Sequence, residues 1–181
     1  MEEPLRHQAP PIRSDMKAED IEIAVAKYLN YRQNFIVPNV SWGLGFRHEL
    51  DLAVVTKSGY LWEVEIKISK SDLKADQKKW HNHADSRISR LYFAIPEELE
   101  GCIDLVPECA GIFSVRKRVQ KSDGTYAAFS GVKKIREAKR NREAEPITDK
   151  EIRKLYHLSS MRIWGLKQRL INSDSFQGDI P

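Results

Sequence analysis

The feature that most constrains this chain is a pair of apolar, β-type segments, within residues 49–67, in which charged residues occupy alternate positions. The segments flank a short turn that contains a glycine, which predicts a β-hairpin. Because side chains alternate along a strand, Glu63, Glu65 and Lys67 share one face of the second strand, and Asp51 projects from the first. Such charges are costly to bury among Val, Ile and Leu unless they pair or bind a cation.

Two acids on neighbouring strands can hold a hard divalent cation through oxygen ligands. A lysine two residues beyond the second acid lies on the same face, about 6–7 Å along the strand, where it can orient water or stabilise a phosphate. The order Asp51, Glu65, Lys67 across a hairpin resembles the PD-(D/E)xK nuclease superfamily, with Leu50 in place of the proline of that pattern. The alternative interpretation is a solvated charged face with cross-strand ion pairs.

Composition places the chain among ordinary globular proteins. Its 181 residues are enough for one domain with a sizeable core, and 41% are hydrophobic. No apolar run approaches the roughly 20 residues of a membrane span, and the N-terminus does not resemble a signal peptide. We therefore expect a cytoplasmic protein without membrane contact. Cys102 and Cys109 match neither a disulfide framework nor a common zinc spacing.

Positive charge is concentrated in residues 116–142. This segment contains ten Lys or Arg and two acids, so it carries +8 while the remainder of the chain carries −4. A local basic excess of this kind is typical of proteins that bind polyanions, nucleic acids first. A solvated surface hairpin is the alternative.

The predicted elements follow the order helix, three strands, helix, strand, and then additions. We expect one domain over residues 15–171 between flexible tails, 1–14 and 172–181. Ser14 or Asp15 would cap the first helix, and Ser69 or Ser71 would cap a second helix that runs to about His83. Further elements are predicted as a strand at 91–95, a brief helix at 97–105, a strand at 110–115, a basic hairpin with strands near 115–120 and 126–136, and a helix from a capping box at Thr148 to about Ile171.

This element order is similar to the αβββαβ core of the PD-(D/E)xK nucleases. The resemblance implies an α/β (α+β) fold of the restriction-endonuclease type, with a mixed central sheet flanked by helices. The basic hairpin and the C-terminal helix would be additions to that core. In this core the two acids and the lysine lie on the second and third strands, as predicted here for Asp51, Glu65 and Lys67.

A closer resemblance covers roughly residues 19–170. The runs 65–80 and 91–96 look like the MmcB-like DNA-repair family, a branch of the same superfamily, whose helix pattern falls on Asp72, Ala75, Asp76, Lys79 and Trp80. The family implies DNA as the substrate and DNA repair or phage DNA metabolism as the context. Some members of the superfamily bind DNA without cutting it.

The resemblance also implies roles for individual residues. Asp51, Glu65 and the backbone carbonyl of Ile66 would bind Mg²⁺ or Mn²⁺, and Lys67 would complete the catalytic set. A further acid would come, in order of preference, from Glu63, Glu49 or Glu22. The residues expected to contact nucleic acid follow instead from the basic segment, which is not part of the resemblance, and from the second helix: Lys79, Lys74, Arg116, Lys117, Arg118, Lys133, Lys134 and Arg136.

The function expected from these observations is a metal-dependent DNA endonuclease or nickase. The first alternative is a catalytically inactive DNA-binding module with the same fold. The second is a structural or regulatory protein whose hairpin face carries only ion pairs, and which therefore binds no metal. A homodimer would suit an enzyme that cuts both strands of a duplex.

Overall fold

Six strands form one mixed sheet in which the order along the chain is also the order in space. This computed structural model describes residues 16–41, 44–46, 48–77, 86–117 and 131–176. The strands are β1 (Phe35–Val40), β2 (Leu50–Val55), β3 (Leu61–Ile66), β4 (Ile88–Pro96), β5 (Gly111–Val115) and β6 (Val132–Arg136). The pairs β3–β4 and β4–β5 are parallel, and the other three pairs are antiparallel. The architecture is α+β, consistent with the predicted restriction-endonuclease-like core.

Helices cover both faces of the sheet. On one face α1 (Ala18–Tyr28) packs Ile21 and Val25 against Val54 and Val64. On the opposite face lie α2 (Lys70–Gln77), a 3₁₀ helix (Glu97–Leu105) and the first part of α3 (Asp149–Phe176). That second face carries two separate apolar clusters. The first, around β1 and β2, includes Leu155 of α3, and the second, around β4 and β5, includes Leu73 of α2.

The predicted hairpin is formed by β2 and β3. The amide of Gly59 donates to the carbonyl of Thr56 at 2.9 Å, and the amide of Thr56 donates to the carbonyl of Tyr60 at 3.0 Å. Gly59 has φ of +80°, a conformation that residues with a Cβ rarely adopt. The pairs Leu52–Val64 and Ala53–Glu63 fix the register, so the alternation predicted from the sequence is present on both strands.

The helix starts agree with the sequence in two of three cases. Ser69 caps α2, since its hydroxyl accepts the amide of Asp72 at 3.1 Å, and Thr148 and Glu151 form the predicted capping box of α3. The first helix begins later than predicted, at Ala18, with Lys17 as its N-cap. There the carboxylate of Asp20 accepts the amide of Lys17 at 3.2 Å, so an acid in the first turn closes the helix end.

The described part of the basic hairpin agrees with its prediction. Val115 pairs with Val132, and the amide of Arg116 donates to the carbonyl of Gly131 at 2.9 Å, so residues of the two predicted strands are paired where the structure describes them. The pairing also continues back along β5 to Ile112, so the strand predicted at 110–115 and the first strand of the hairpin are one strand. Residues 118–130 lie outside the described part of the chain, as do the predicted helical residues 78–83 and the tail 1–14.

The last helix continues to Phe176 instead of ending near Ile171, so residues 172–176 are helical rather than part of a tail. Only its first part is packed on the sheet, through Leu155 and Leu158. Beyond that point several large apolar side chains are more than half exposed, namely Ile163, Trp164, Leu166, Leu170 and Ile171. Among the described residues, no helix is both long and apolar enough to cross a membrane.

Gly111 lies at a position of the sheet that has no room for a side chain. A Cβ at this position would lie 2.7 Å from the backbone nitrogen of Ala138 and closer still to the ring of Tyr92. That ring is buried and stacks on Phe113 with centroids 4.5 Å apart, so it has little room to move. We expect Gly111→Ala to lower the free energy of unfolding by about 1–3 kcal/mol, measured by urea denaturation.

The matched control is Gly165→Ala in α3, where a Cβ would meet nothing within 4 Å. Because alanine favours helix, this change should leave stability unaltered or raise it by up to about 1 kcal/mol. Equal effects of the two substitutions would contradict the close packing at Gly111.

Candidate active site

Two buried glutamates lie on the face of β3 that also carries the two apolar clusters. Glu63 is 0% exposed and Glu65 is 5% exposed. Glu63 is flanked across the sheet by Ala53 on β2 and Leu91 on β4, and Glu65 is paired with Phe93. The two carboxylates therefore occupy a polar strip between apolar clusters, where an uncompensated charge would be strongly destabilising.

The side chain of Asp51, on β2, is hydrogen-bonded to the end of β3. Its Oδ2 atom accepts the backbone amide of Ile66 at 2.7 Å. This bond joins the start of β2 to the end of β3 and places the Asp51 carboxylate beside the peptide group of Ile66. The predicted acids Asp51 and Glu65 are thus brought to one end of the hairpin, together with the residue whose carbonyl is the predicted third ligand.

Lys67 lies between two carboxylates. Its Nζ atom is 2.6 Å from Oε2 of Glu65 and 2.9 Å from Oδ1 of Asp76. The lysine side chain is 13% exposed, and its ammonium lies 5.9 Å from the centre of the Phe93 ring. The geometry therefore holds the positive charge within the strip, next to one of the predicted metal ligands.

Asp76 is a site residue that the sequence reasoning missed. It was recognised only as part of a helix pattern, yet α2 turns it inward, where it is 6% exposed beside the buried Leu73. The spacing of three residues between Leu73 and Asp76 puts both on one helix face. That spacing was the available signal, because an acid on the apolar face of a helix requires a partner.

His48 is the second residue that was missed. Its Nε2 atom is 2.6 Å from Oε1 of Glu63, and its side chain is 15% exposed. One potential ligand atom from each of His48, Glu63 and Glu65 can be chosen so that all three lie within 4.8 Å of one another. His48 precedes β2, where the alternation of a strand does not apply, so the direction of its side chain does not follow from the sequence pattern.

Burial dominates the electrostatics of these acids. It raises the pKa of Glu65 to about 7, against the opposing effect of the nearby Lys67, and the charges of Asp51 and Glu63 act in the same direction as burial. Burial also raises the pKa of Asp51, opposed by the amide of Ile66 and by Lys67. For Lys67, burial disfavours the charged form, but Glu65 and Asp76 outweigh it and raise the pKa, so the lysine stays protonated.

The structure places the other candidate acids differently from one another. Glu63 is buried in the strip, as described. Glu22 on α1 is half-buried, and burial, Glu19 and Asp51 raise its pKa, so it lies within electrostatic reach of Asp51. Glu49 is exposed. Like Glu22 and Asp51, it is not a member of the group of three potential ligand atoms found among the described residues.

Three of the basic residues are bonded to other groups of the protein. Arg116 forms two bonds to Glu97, at 2.8 and 2.6 Å, and Lys134 pairs with Glu137. Arg136 donates to the backbone carbonyls of residues 106, 107 and 110, so its guanidinium stabilises the loop before β5. The side chains of Lys74, Lys117 and Lys133 are exposed, while Lys79 and Arg118 lie outside the described residues.

The residues present fit a divalent cation. They offer carboxylate oxygens, and Oε1 of Glu65 is buried without a hydrogen-bond partner. A buried carboxylate oxygen in that condition is explained by an ion or a water that completes its contacts. Chemically, the strip can hold a cation beside a protonated lysine, which is the combination needed to bind a phosphate group.

Comparisons with known proteins add the family. One solved structure, a protein of unknown function from Silicibacter pomeroyi, is similar with a TM-score of 0.56 and 17% identity, covering 89% of this chain and 96% of that chain. At this identity the likeness concerns the fold alone. A comparison with curated proteins gives no match. The family model described as DNA repair protein MmcB-like matches residues 6–166. The chain therefore belongs to the MmcB-like family of DNA repair proteins.

Proposed function

We propose that this protein is a metal-dependent DNA nuclease that hydrolyses phosphodiester bonds with Mg²⁺ or Mn²⁺. The observation that carries the proposal is the convergence of Asp51, Glu65 and Lys67 at one end of the β2–β3 hairpin, as the superfamily pattern requires. The family supports DNA as the substrate and repair as the context. Phage DNA metabolism and a cytoplasmic location stay predictions from the sequence.

Asp51, Glu65 and the carbonyl of Ile66 are the groups that we propose as cation ligands. Hard oxygen donors without a cysteine favour Mg²⁺ or Mn²⁺. The bound cation would polarise the scissile phosphate and lower the pKa of the attacking water. Oδ2 of Asp51 is already oriented by the amide of Ile66, so the ligands need little reorganisation before they bind.

Lys67 would supply fixed positive charge where negative charge develops on the phosphate. Its contacts with Glu65 and Asp76 hold the ammonium in place and keep it protonated. Electrostatic stabilisation of this kind is effective because the group is oriented before the reaction and is partly shielded from water. Asp76 acts through Lys67 and is therefore a positioning residue.

The basic residues support a DNA path along one edge of the sheet. Glu65 lies near the end of β3, and the register places the ends of β4 and β5 at the same edge, together with the start of β6. Two exposed lysines are located there. Lys117 follows β5, two strands from β3, and Lys133 lies on β6, three strands from β3, which at a strand spacing of about 4.8 Å is roughly 10 and 14 Å across the sheet. We propose these two lysines, rather than Arg136, as phosphate contacts.

Homodimer formation also stays a proposal. Two copies of the site would allow both strands of a duplex to be cut, and light scattering of the full chain would give its oligomeric state.

The direct test is cleavage of supercoiled, linear and single-stranded DNA by Lys67→Met and Asp51→Asn in Mg²⁺ or Mn²⁺. Asparagine keeps an oxygen that can accept the amide of Ile66, so Asp51→Asn should fold while losing a charged ligand. We expect each substitution to lower the cleavage rate by at least about 100-fold, in line with the loss of one group that stabilises the transition state.

Lys57→Ala is the control, because Lys57 is exposed in the turn at the opposite end of the hairpin. It should cleave at the rate of the unsubstituted protein. If the unsubstituted protein binds DNA but none of the proteins cleaves it, the inactive DNA-binding module replaces the nuclease.

Asp76→Asn tests the positioning of Lys67. Loss of one of its two carboxylate partners should lower the single-turnover rate constant of cleavage by about tenfold or more while leaving DNA affinity unchanged, because misplacement of about 1 Å can cost 100-fold. The measurement is single-turnover cleavage together with DNA binding. Asp72→Asn, an exposed acid on the same helix, should retain the full rate, and an equal loss in both variants would contradict the role of Asp76.

Lys117→Ala and Lys133→Ala test the proposed DNA path. Each should weaken DNA binding without regard to sequence and reduce the slope of log affinity against log salt by about one. Fluorescence anisotropy between low and moderate salt measures both quantities. A salt slope equal to that of Lys57→Ala would remove these lysines from the interface.

A further inference from the structure

A second donor set lies beside the proposed Asp51 site and shares Glu65 with it. His48, Glu63 and Glu65 each contribute one potential ligand atom, and the three atoms lie within 4.8 Å of one another. A divalent cation binds such donors at about 2.0–2.2 Å, so small side-chain rotations would bring all three onto one ion. The set comes from the loop before β2 and from β3, so it is fixed by the same hairpin.

The chemistry of the donors differs from that of the Asp51 site. An imidazole nitrogen joined to two carboxylates suits transition-type divalent ions, whereas Mg²⁺ prefers oxygen donors and retains most of its waters. His48 and Glu63 are already 2.6 Å apart. Cation binding at Nε2 would displace the proton that this contact holds, which would go to Nδ1 of the same imidazole or to solvent.

The unpartnered oxygen of Glu65, which supports a cation in the polar strip, belongs to a member of this donor set. Oε2 of Glu65 is bonded to Lys67, while Oε1 of the same carboxylate is buried without a hydrogen-bond partner. The Glu65 side chain is 6% exposed, so solvent access does not readily compensate that oxygen. A buried acceptor in that condition is what a bound cation would satisfy.

We propose that His48, Glu63 and Glu65 form a second cation site that prefers Mn²⁺ to Mg²⁺. The site shares Glu65 with the proposed nuclease centre, yet its occupancy does not depend on DNA cleavage. With both sites filled, Glu65 would be a ligand common to the two cations. The Asp51 site would take either ion, and the His48 site would account for a preference of the protein for Mn²⁺.

The test is a titration of the unsubstituted full chain and of His48→Gln with Mn²⁺. Electron paramagnetic resonance measures the ion that stays free. We expect two bound Mn²⁺ per chain in the former. Loss of a direct ligand should lower the affinity for one of the two ions by at least about 10–100-fold, which is the loss typical of an outer-shell partner. His157→Gln, which changes an exposed histidine on α3, is the matched control and should retain both ions.

Glu63→Gln provides an independent variant should His48→Gln fail to fold, and its titration is expected to show the same loss. Unchanged stoichiometry and affinity in the folded variant would overturn the site, and equal displacement of both ions by Mg²⁺ would overturn its preference. Failure of the nuclease proposal would be distinguishable. The unsubstituted protein would then bind two Mn²⁺ without cleaving DNA, and His48→Gln would still lose one of the two ions.

Discussion

The ion pairs of Lys67 are the interaction on which the site depends. They join β3 to α2 through Glu65 and Asp76, and they place a positive charge among carboxylates that are almost wholly buried. Buried ion pairs rarely stabilise a fold more than apolar side chains of the same size would. Apolar residues at these positions would merge the two clusters on that face into one core. The retention of charge at a cost in stability indicates a function.

The topology explains why these groups meet at an edge where a large ligand has access. The antiparallel hairpin puts the start of β2 and the end of β3 together, and the parallel pairs that follow bring the ends of β4 and β5 to the same edge. β6 then returns from that edge with its lysines. One mixed sheet thus arranges an acidic site and a basic surface along a single border, although residues 51 and 133 are far apart in the chain.

The sequence predicted what depends on local periodicity and missed what depends on tertiary packing. Alternation in β3 placed Glu63, Glu65 and Lys67 on one face, and capping signals located the starts of α2 and α3. Asp76 enters the site because α2 packs on the sheet, and His48 because of a loop, so neither follows from alternation. Likewise, Arg136 was counted as a phosphate contact, but a charge count cannot show that a guanidinium is bonded to carbonyls within its own fold.

Charge balance in the strip gives the strongest physical reason to expect a cation. Asp51, Glu63, Glu65 and Asp76 act on one another electrostatically, Lys67 is bonded to Glu65 and Asp76, and His48 is bonded to Glu63. These carboxylates concentrate negative charge in a largely buried region, and the charges of Asp51 and Glu63 oppose the ionisation of Glu65. Without a cation, the raised pKa of Glu65 relieves this charge, because taking up a proton removes a negative charge that burial disfavours. A divalent cation would meet the same need while keeping every carboxylate ionised, which is the state in which the site can engage a phosphate.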